Sequence, residues 1–99
     1  MTQNTENGLL KSRLEQLLAS RDYPKTICPS EVPRSMSNAE LEELGAGEWR
    51  DLMDQTRAIV WGMRDRGEVE ILQRGQVLSV DVGIGDVKGP IRVRKRDGG

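Results

Sequence analysis

Leu9, Leu10, Leu14, Leu17 and Leu18 recur every three or four positions, with Lys11, Ser12, Glu15 and Gln16 turned away from them. That spacing lays the leucines along one face and predicts an amphipathic helix of about three turns. Residues 1–7 are polar and are expected to form a disordered tail. Asp22-Tyr23-Pro24 ends the helix, because the residue before a proline disfavours the α conformation. Thr26-Ile27-Cys28 fits a short strand, and Pro29 fits the first turn of a second helix, where its missing N–H costs nothing. Glu31 would then stand near the positive end of that helix. Pro33 removes a helical hydrogen bond a few residues later, so the second helix should be short or irregular. Ser37-Asn38-Ala39-Glu40 matches a capping box; Leu41 and Leu44 follow, and Gly45 stops the turn. The longest helix is expected from Gly47 or Glu48 to Arg66, with Gly67 as its left-handed cap. Its buried stripe is Trp49, Leu52, Met53, Thr56, Ile59, Val60 and Met63.

After Gly67 the period changes from helical to alternating. Glu68 to Gln73 reads as a strand, Arg74-Gly75 as a turn and Gln76 to Val80 as a second strand. Nine loop residues follow, and Pro90 to Lys95 then alternates inward apolar with outward basic positions. A basic β-hairpin placed after a set of helices is the order of a winged helix-turn-helix. The expected fold is therefore a single α+β winged-helix domain over residues 8–96, with residues 97–99 as a disordered tail. It has three main helices, a capped short helix between the second and third, and a small antiparallel sheet. The expected core is Leu14, Leu17, Leu18, Ile27, Val32, Trp49, Leu52, Met53, Ile59, Val60, Met63, Val69, Ile71, Ile91 and Val93.

Composition narrows the class. Ninety-nine residues make one domain with a small core. Aromatics are limited to Trp49, Trp61 and Tyr23, so the core rests on Leu, Ile, Val and Met. Net charge is −1, but residues 1–47 and 48–73 each carry −2 and residues 74–99 carry +3. An acidic body with a basic end can orient on a polyanion, although its overall field attracts little at long range. The single cysteine, Cys28, excludes an intrachain disulfide framework and fits a reducing compartment. No apolar run suggests a secretory signal or approaches the roughly 20 residues that span a bilayer, so the cytoplasm is expected.

Two constellations carry candidate chemistry. Arg50, Arg57 and Arg64 are seven residues apart and line up on one flank of a continuous helix, with Trp61 beside them. Three guanidinium groups and an indole can contact phosphates and stack on a base or sugar. Alternatively, Asp54 pairs with Arg50 and Arg57 on an ordinary solvated face, and Trp61 widens the core stripe. In the hairpin, Arg74, Lys88, Arg92 and Arg94 offer a basic surface, with Arg92, Arg94 and Arg96 on one side and Ile91 and Val93 facing inward. Equally, such charges keep an edge strand from pairing with other chains. Cys28 beside Pro29 has no histidine to act as base, and one cysteine without histidine cannot supply a structural zinc site. Gly83-Ile84-Gly85-Asp86 lacks the strand-to-helix setting of a phosphate loop. No catalytic residue, metal site, cofactor or small-molecule substrate is indicated, and no enzyme is expected.

With these segments placed, the chain resembles domain of unknown function 3253, a family of small bacterial and fungal proteins. The resemblance rests on Lys25-Thr26-Ile27-Cys28-Pro29-Ser30-Glu31-Val32 with Arg34, on Trp49-Arg50, Leu52-Met53, Arg57 and Gly67, and on Lys88-Gly89-Pro90-Ile91-Arg92-Val93-Arg94. It covers roughly residues 9–95 and implies a winged-helix-like fold with no assigned activity. The chain departs from the family pattern at Pro33, where alanine would be expected, and in the extra residues 36–47 before Trp49. Two functions are consistent with this surface. One is binding to double-stranded DNA, with the 48–66 helix in a groove and the wing on the backbone. The other is an interaction module that contacts another protein or a second copy through the same helix and wing, suggested by near-neutral charge and the acidic stretch Glu40 to Glu43.

Overall fold

A computed structural model describes residues 5–96, with side chains from residue 8 onward. The leucine face folds as expected into α1 (Thr5–Ala19), which begins three residues inside the stretch anticipated as a tail. The remainder of that tail, residues 1–4, and residues 97–99 lie outside the described residues. Leu10, Leu14 and Leu18 are buried and Leu9 and Leu17 pack beside them. The helix α2 (Glu31–Arg34) has one turn, as Pro33 dictates. At α3 (Asn38–Glu43) the capping box forms: Glu40 N donates to Ser37 Oγ at 3.1 Å and Ser37 N donates to Glu40 Oε1 at 2.8 Å.

Arg13 fastens α1 to this region, donating to the Ser35 carbonyl at 2.9 Å and to Glu40 Oε2 at 2.6 Å. The Ser37 backbone hydrogen bond, with Arg13 assisting, holds the Glu40 carboxyl below the usual carboxylate range. A carboxyl lowered in the folded state stabilises above its unfolded pKa, and that contribution is lost as pH falls through the lowered value. Ser37→Ala should cost about 1 kcal/mol in a urea melt at neutral pH. Alanine keeps the backbone N–H that the Glu40 carboxyl accepts from, so the loss falls on the Glu40 N–H cap, and an unchanged melt would contradict that cap.

The long helix is not uniform. Residues Trp49–Leu52 wind as a 3-10 turn, and α4 (Met53–Asp65) follows. Gly67, at φ 78°, ends it, with Glu68 N donating to Met63 O at 2.9 Å, the left-handed cap the sequence implies. The chain then forms β1 (Val69–Gln73), β2 (Gln76–Val77) and β3 (Arg92–Lys95) in a three-stranded antiparallel sheet of order β2-β1-β3. Ile71 faces Val93 across the β1–β3 ladder, and Ile27 adds a bridge to Val93, its N–H and C=O both bonded at 2.8 Å. The segment expected as a strand at Thr26 to Cys28 is thus a single bridge. The second hairpin strand also stops early, at Val77 rather than Val80.

The core lies between α1, α4 and the inner face of the sheet: Leu14, Leu52, Val60, Ile71 and Val93 are all sealed from solvent. Of the core positions expected from sequence, Leu17, Trp49, Met53 and Ile59 are only half-buried, whereas Leu10, Met36, Leu44, Leu72 and Val87 join the core from outside that set, and Trp61 joins it as the alternative reading of the long helix had it. The result is a small α+β fold with four α-helices and one antiparallel sheet among the described residues, compatible with a winged-helix-like fold. None of the described helices is long and apolar enough to cross a membrane.

Candidate nucleic-acid interface

The end of the sheet is built around the turn Arg74-Gly75. Both residues have positive φ, 55° and 81°, as a two-residue hairpin turn matched to right-handed strand twist requires. Glycine or asparagine suits such positions. An arginine there carries a steric cost of about 1–2 kcal/mol, because its Cβ crowds the following carbonyl. From the last position of β1, Gln73 Nε2 reaches across to donate to the Lys88 carbonyl at 2.7 Å. That bond draws the long loop back against the hairpin, and Gly89, at φ 92°, turns it into β3.

Arg92 completes the group. It is exposed, and its guanidinium donates to Thr26 Oγ1 at 2.9 Å and to the Thr26 carbonyl at 3.2 Å. Arg74, Lys88 and Arg92, with Gln73, Gly89 and Pro90, line one open depression of 400 Å³. No carboxylate lines it, and among the described residues none of the three cations forms an ion pair. Such a concave cluster of cations is suited to oxyanions of a phosphate backbone.

Arg94, expected in the same surface, is committed elsewhere. Its Nε donates to Glu70 Oε1 at 2.7 Å, with both side chains largely buried, and its guanidinium lies 5.0 Å from the Tyr23 ring centre. Arg92 and Arg94 do share the outer face of the sheet, opposite Leu72 and Glu70 respectively, and Ile91 and Val93 are buried.

The row expected on the long helix does not form. Trp61 is only 6% exposed, and its Nε1 donates to the Val82 carbonyl at 3.1 Å. The Arg64 side chain is likewise 6% exposed and donates to the Ser79 and Val82 carbonyls and to Asp65. Arg57 lies over the Trp61 ring at 5.4 Å. Arg50 is exposed, but it sits on the 3-10 turn beside the Trp49 ring, 4.6 Å from its centre, and pairs with Glu48 at 3.3 Å. Asp54 pairs with neither Arg50 nor Arg57 among the described residues, so of the alternative reading of that face only the part that puts Trp61 in the core stripe holds.

Of eight anticipated residues, the structure gathers Arg74, Lys88 and Arg92 and turns Trp61 and Arg64 inward. Gln73 and Thr26, which position this group, escaped the sequence reading. Both act through contacts to chain 15 and 66 residues away, and nothing local in the sequence marks them. A family model described as Protein of unknown function (DUF3253) matches residues 7–96. No curated protein matches the chain.

Proposed function

The chain belongs to the DUF3253 family, whose description assigns no activity, and from that premise we propose that it binds the phosphate backbone of double-stranded nucleic acid. Arg74, Lys88 and Arg92 make the contacts. The observation that carries this reading is the gathering in one depression, with no carboxylate lining it, of three cations that form no ion pair among the described residues. A second observation supports it: the chain accepts a strained arginine at the hairpin tip where glycine would cost less. Arg74 and Lys88 make no side-chain hydrogen bond or ion pair among the described residues, and only Arg92 also serves the fold, through Thr26.

The same geometry limits the mode of binding. With Trp61 and Arg64 turned into the core, α4 does not present the arginine row needed to read bases from a groove. Contacts through the sheet end are to phosphates and therefore carry little sequence preference. The net charge of −1 gives no strong long-range pull, so affinity is modest and depends on salt.

Three phosphates neutralised correspond to a slope of about −2.7 in log K against log salt, or about 40-fold weaker binding between 50 and 200 mM. Fluorescence anisotropy with a labelled duplex measures this. Absence of binding at low salt to any duplex overturns the reading, and the wing then serves a protein partner.

A further inference from the structure

The two edges of the sheet are treated differently. On β3 the Ile27 bridge takes both backbone groups of Val93, and the strand carries the cations Arg92, Arg94 and Lys95. Covering an edge and charging it both keep other chains from pairing with it. The β2 edge has neither protection. Leu78 N donates to Ile71 O at 2.8 Å, so Leu78 faces β1. By the alternation of an antiparallel ladder, Val77 then turns both its N–H and its C=O outward. Gln76 to Val80 carries no charge. Val77 is 47% exposed and Val80 70%, which leaves large apolar side chains in water along an open strand edge. Beside them, past the end of β2, opens a slot of 140 Å³ whose lining includes Val69, Val77, Leu78 and Val80. It has room for an aliphatic side chain.

This strand is complementary to itself. With a two-fold axis beside Val77, two β2 strands run antiparallel and each Val77 N–H donates to the other Val77 C=O. That register sets Gln76 opposite Leu78 and Arg74 opposite Val80, which brings Arg74 next to Asp81 of the second copy. Arg74 and Asp81 are both exposed, and neither forms an ion pair among the described residues. The Asp81 N–H donates to Ser79 Oγ at 3.2 Å, which fixes the turn that presents its carboxylate. Opposite charges thus meet on each side of the axis, and valine meets valine at its centre. The net charge of −1 leaves two copies with little mutual repulsion.

We propose that a second copy of this chain docks on the β2 edge, joining the two sheets through Val77 and pairing Arg74 of each copy with Asp81 of the other. The contact is small and belongs with transient associations, at a dissociation constant on the order of 100 μM. It does not rest on nucleic-acid binding, but the two meet at Arg74: a paired copy keeps only Lys88 and Arg92 for a duplex.

Sedimentation velocity of the whole chain from about 10 μM to 1 mM should show monomer passing to dimer. Val77→Pro removes the outward N–H and no bond within the sheet. It should weaken association at least about tenfold at an unchanged melting temperature. Val77→Lys, which charges the edge, should do the same and serves where proline disturbs the hairpin. Asp81→Arg and Arg74→Asp should each weaken association about tenfold, since like charges then face one another. Combined in one chain they should restore it to within about threefold of the parent. The double variant lacks one cation of the wing cluster, so recovered association beside weaker duplex binding separates this pairing from the nucleic-acid reading. A strict monomer at about 1 mM, or unchanged association in both folded Val77 variants, overturns the docking. A double variant that associates no better than the single ones overturns the Arg74–Asp81 register.

Discussion

Trp61→Ala is expected to lower the free energy of unfolding by about 3–5 kcal/mol, the range for removing a buried tryptophan. The ring is 6% exposed within the core cluster, and its Nε1 is the donor to the Val82 carbonyl. Truncation would leave a cavity and take from the Val82 carbonyl one of its two donors, Arg64 Nη1 remaining. Trp49→Ala is the matched control. That ring is half-buried and bracketed by the guanidinium groups of Arg34 and Arg50 at 5.5 and 4.6 Å, so its loss should cost only about 1 kcal/mol. Urea melts of the two variants followed by far-ultraviolet circular dichroism give the comparison. A larger loss for Trp49→Ala would mean that the two indoles have been assigned the wrong environments.

Arg64→Ala should cost about 2–4 kcal/mol and should act mainly on one segment. The Arg64 guanidinium ties α4 to the chain after β2, donating to the Ser79 and Val82 carbonyls. Leu78, Val82 and Val87 from that segment pack on the core, yet it forms no regular strand and relies on these side-chain donors. Arg64→Lys keeps a charge but not the planar fork, and it should recover only part of the loss. Amide hydrogen exchange across residues 78–87 should accelerate in Arg64→Ala more than exchange in α1. Uniform acceleration throughout the chain would show that Arg64 supports the core as a whole rather than the segment. Unchanged exchange would remove the structural role given to it.

These two residues also mark where sequence reading stops. Elements set by local rules were legible: Pro33 confines α2 to one turn, Ser37 and Glu40 close a capping box, Gly67 caps α4, and Arg74-Gly75 turns the hairpin. Each depends on residues within a few positions of one another. Trp49 leaves the core stripe because residues 49–52 wind as a 3-10 turn, while Trp61, in regular α4, is taken into the core under the segment that follows β2. At three residues per turn instead of 3.6, the phase slips by about 60° over that stretch, which carries Trp49 off the stripe set by α4. The same turn takes Arg50 out of line with Arg57 and Arg64, which both lie in the regular helix α4.

Arg64 was missed differently. A guanidinium is counted as a surface group unless partners are known, and its partners are backbone carbonyls 15 and 18 residues downstream. Of the candidate interface, the sequence supplied the three cations but also Arg94, which pairs with Glu70 across the β1–β3 register. Cross-strand pairing of that kind becomes visible only once strand alignment is fixed.

Duplex binding by the double variant Arg74→Gly, Lys88→Ser tests the wing interface. Neither side chain makes a hydrogen bond or ion pair among the described residues, and glycine relieves the positive φ at position 74, so the melting temperature should hold or rise. If the sheet end carries phosphate contacts, affinity at 50 mM salt drops at least about tenfold and the salt slope shallows by about 1.8. A folded variant that binds duplex with unchanged affinity and slope would contradict the assignment of Arg74, Lys88 and Arg92 to nucleic acid.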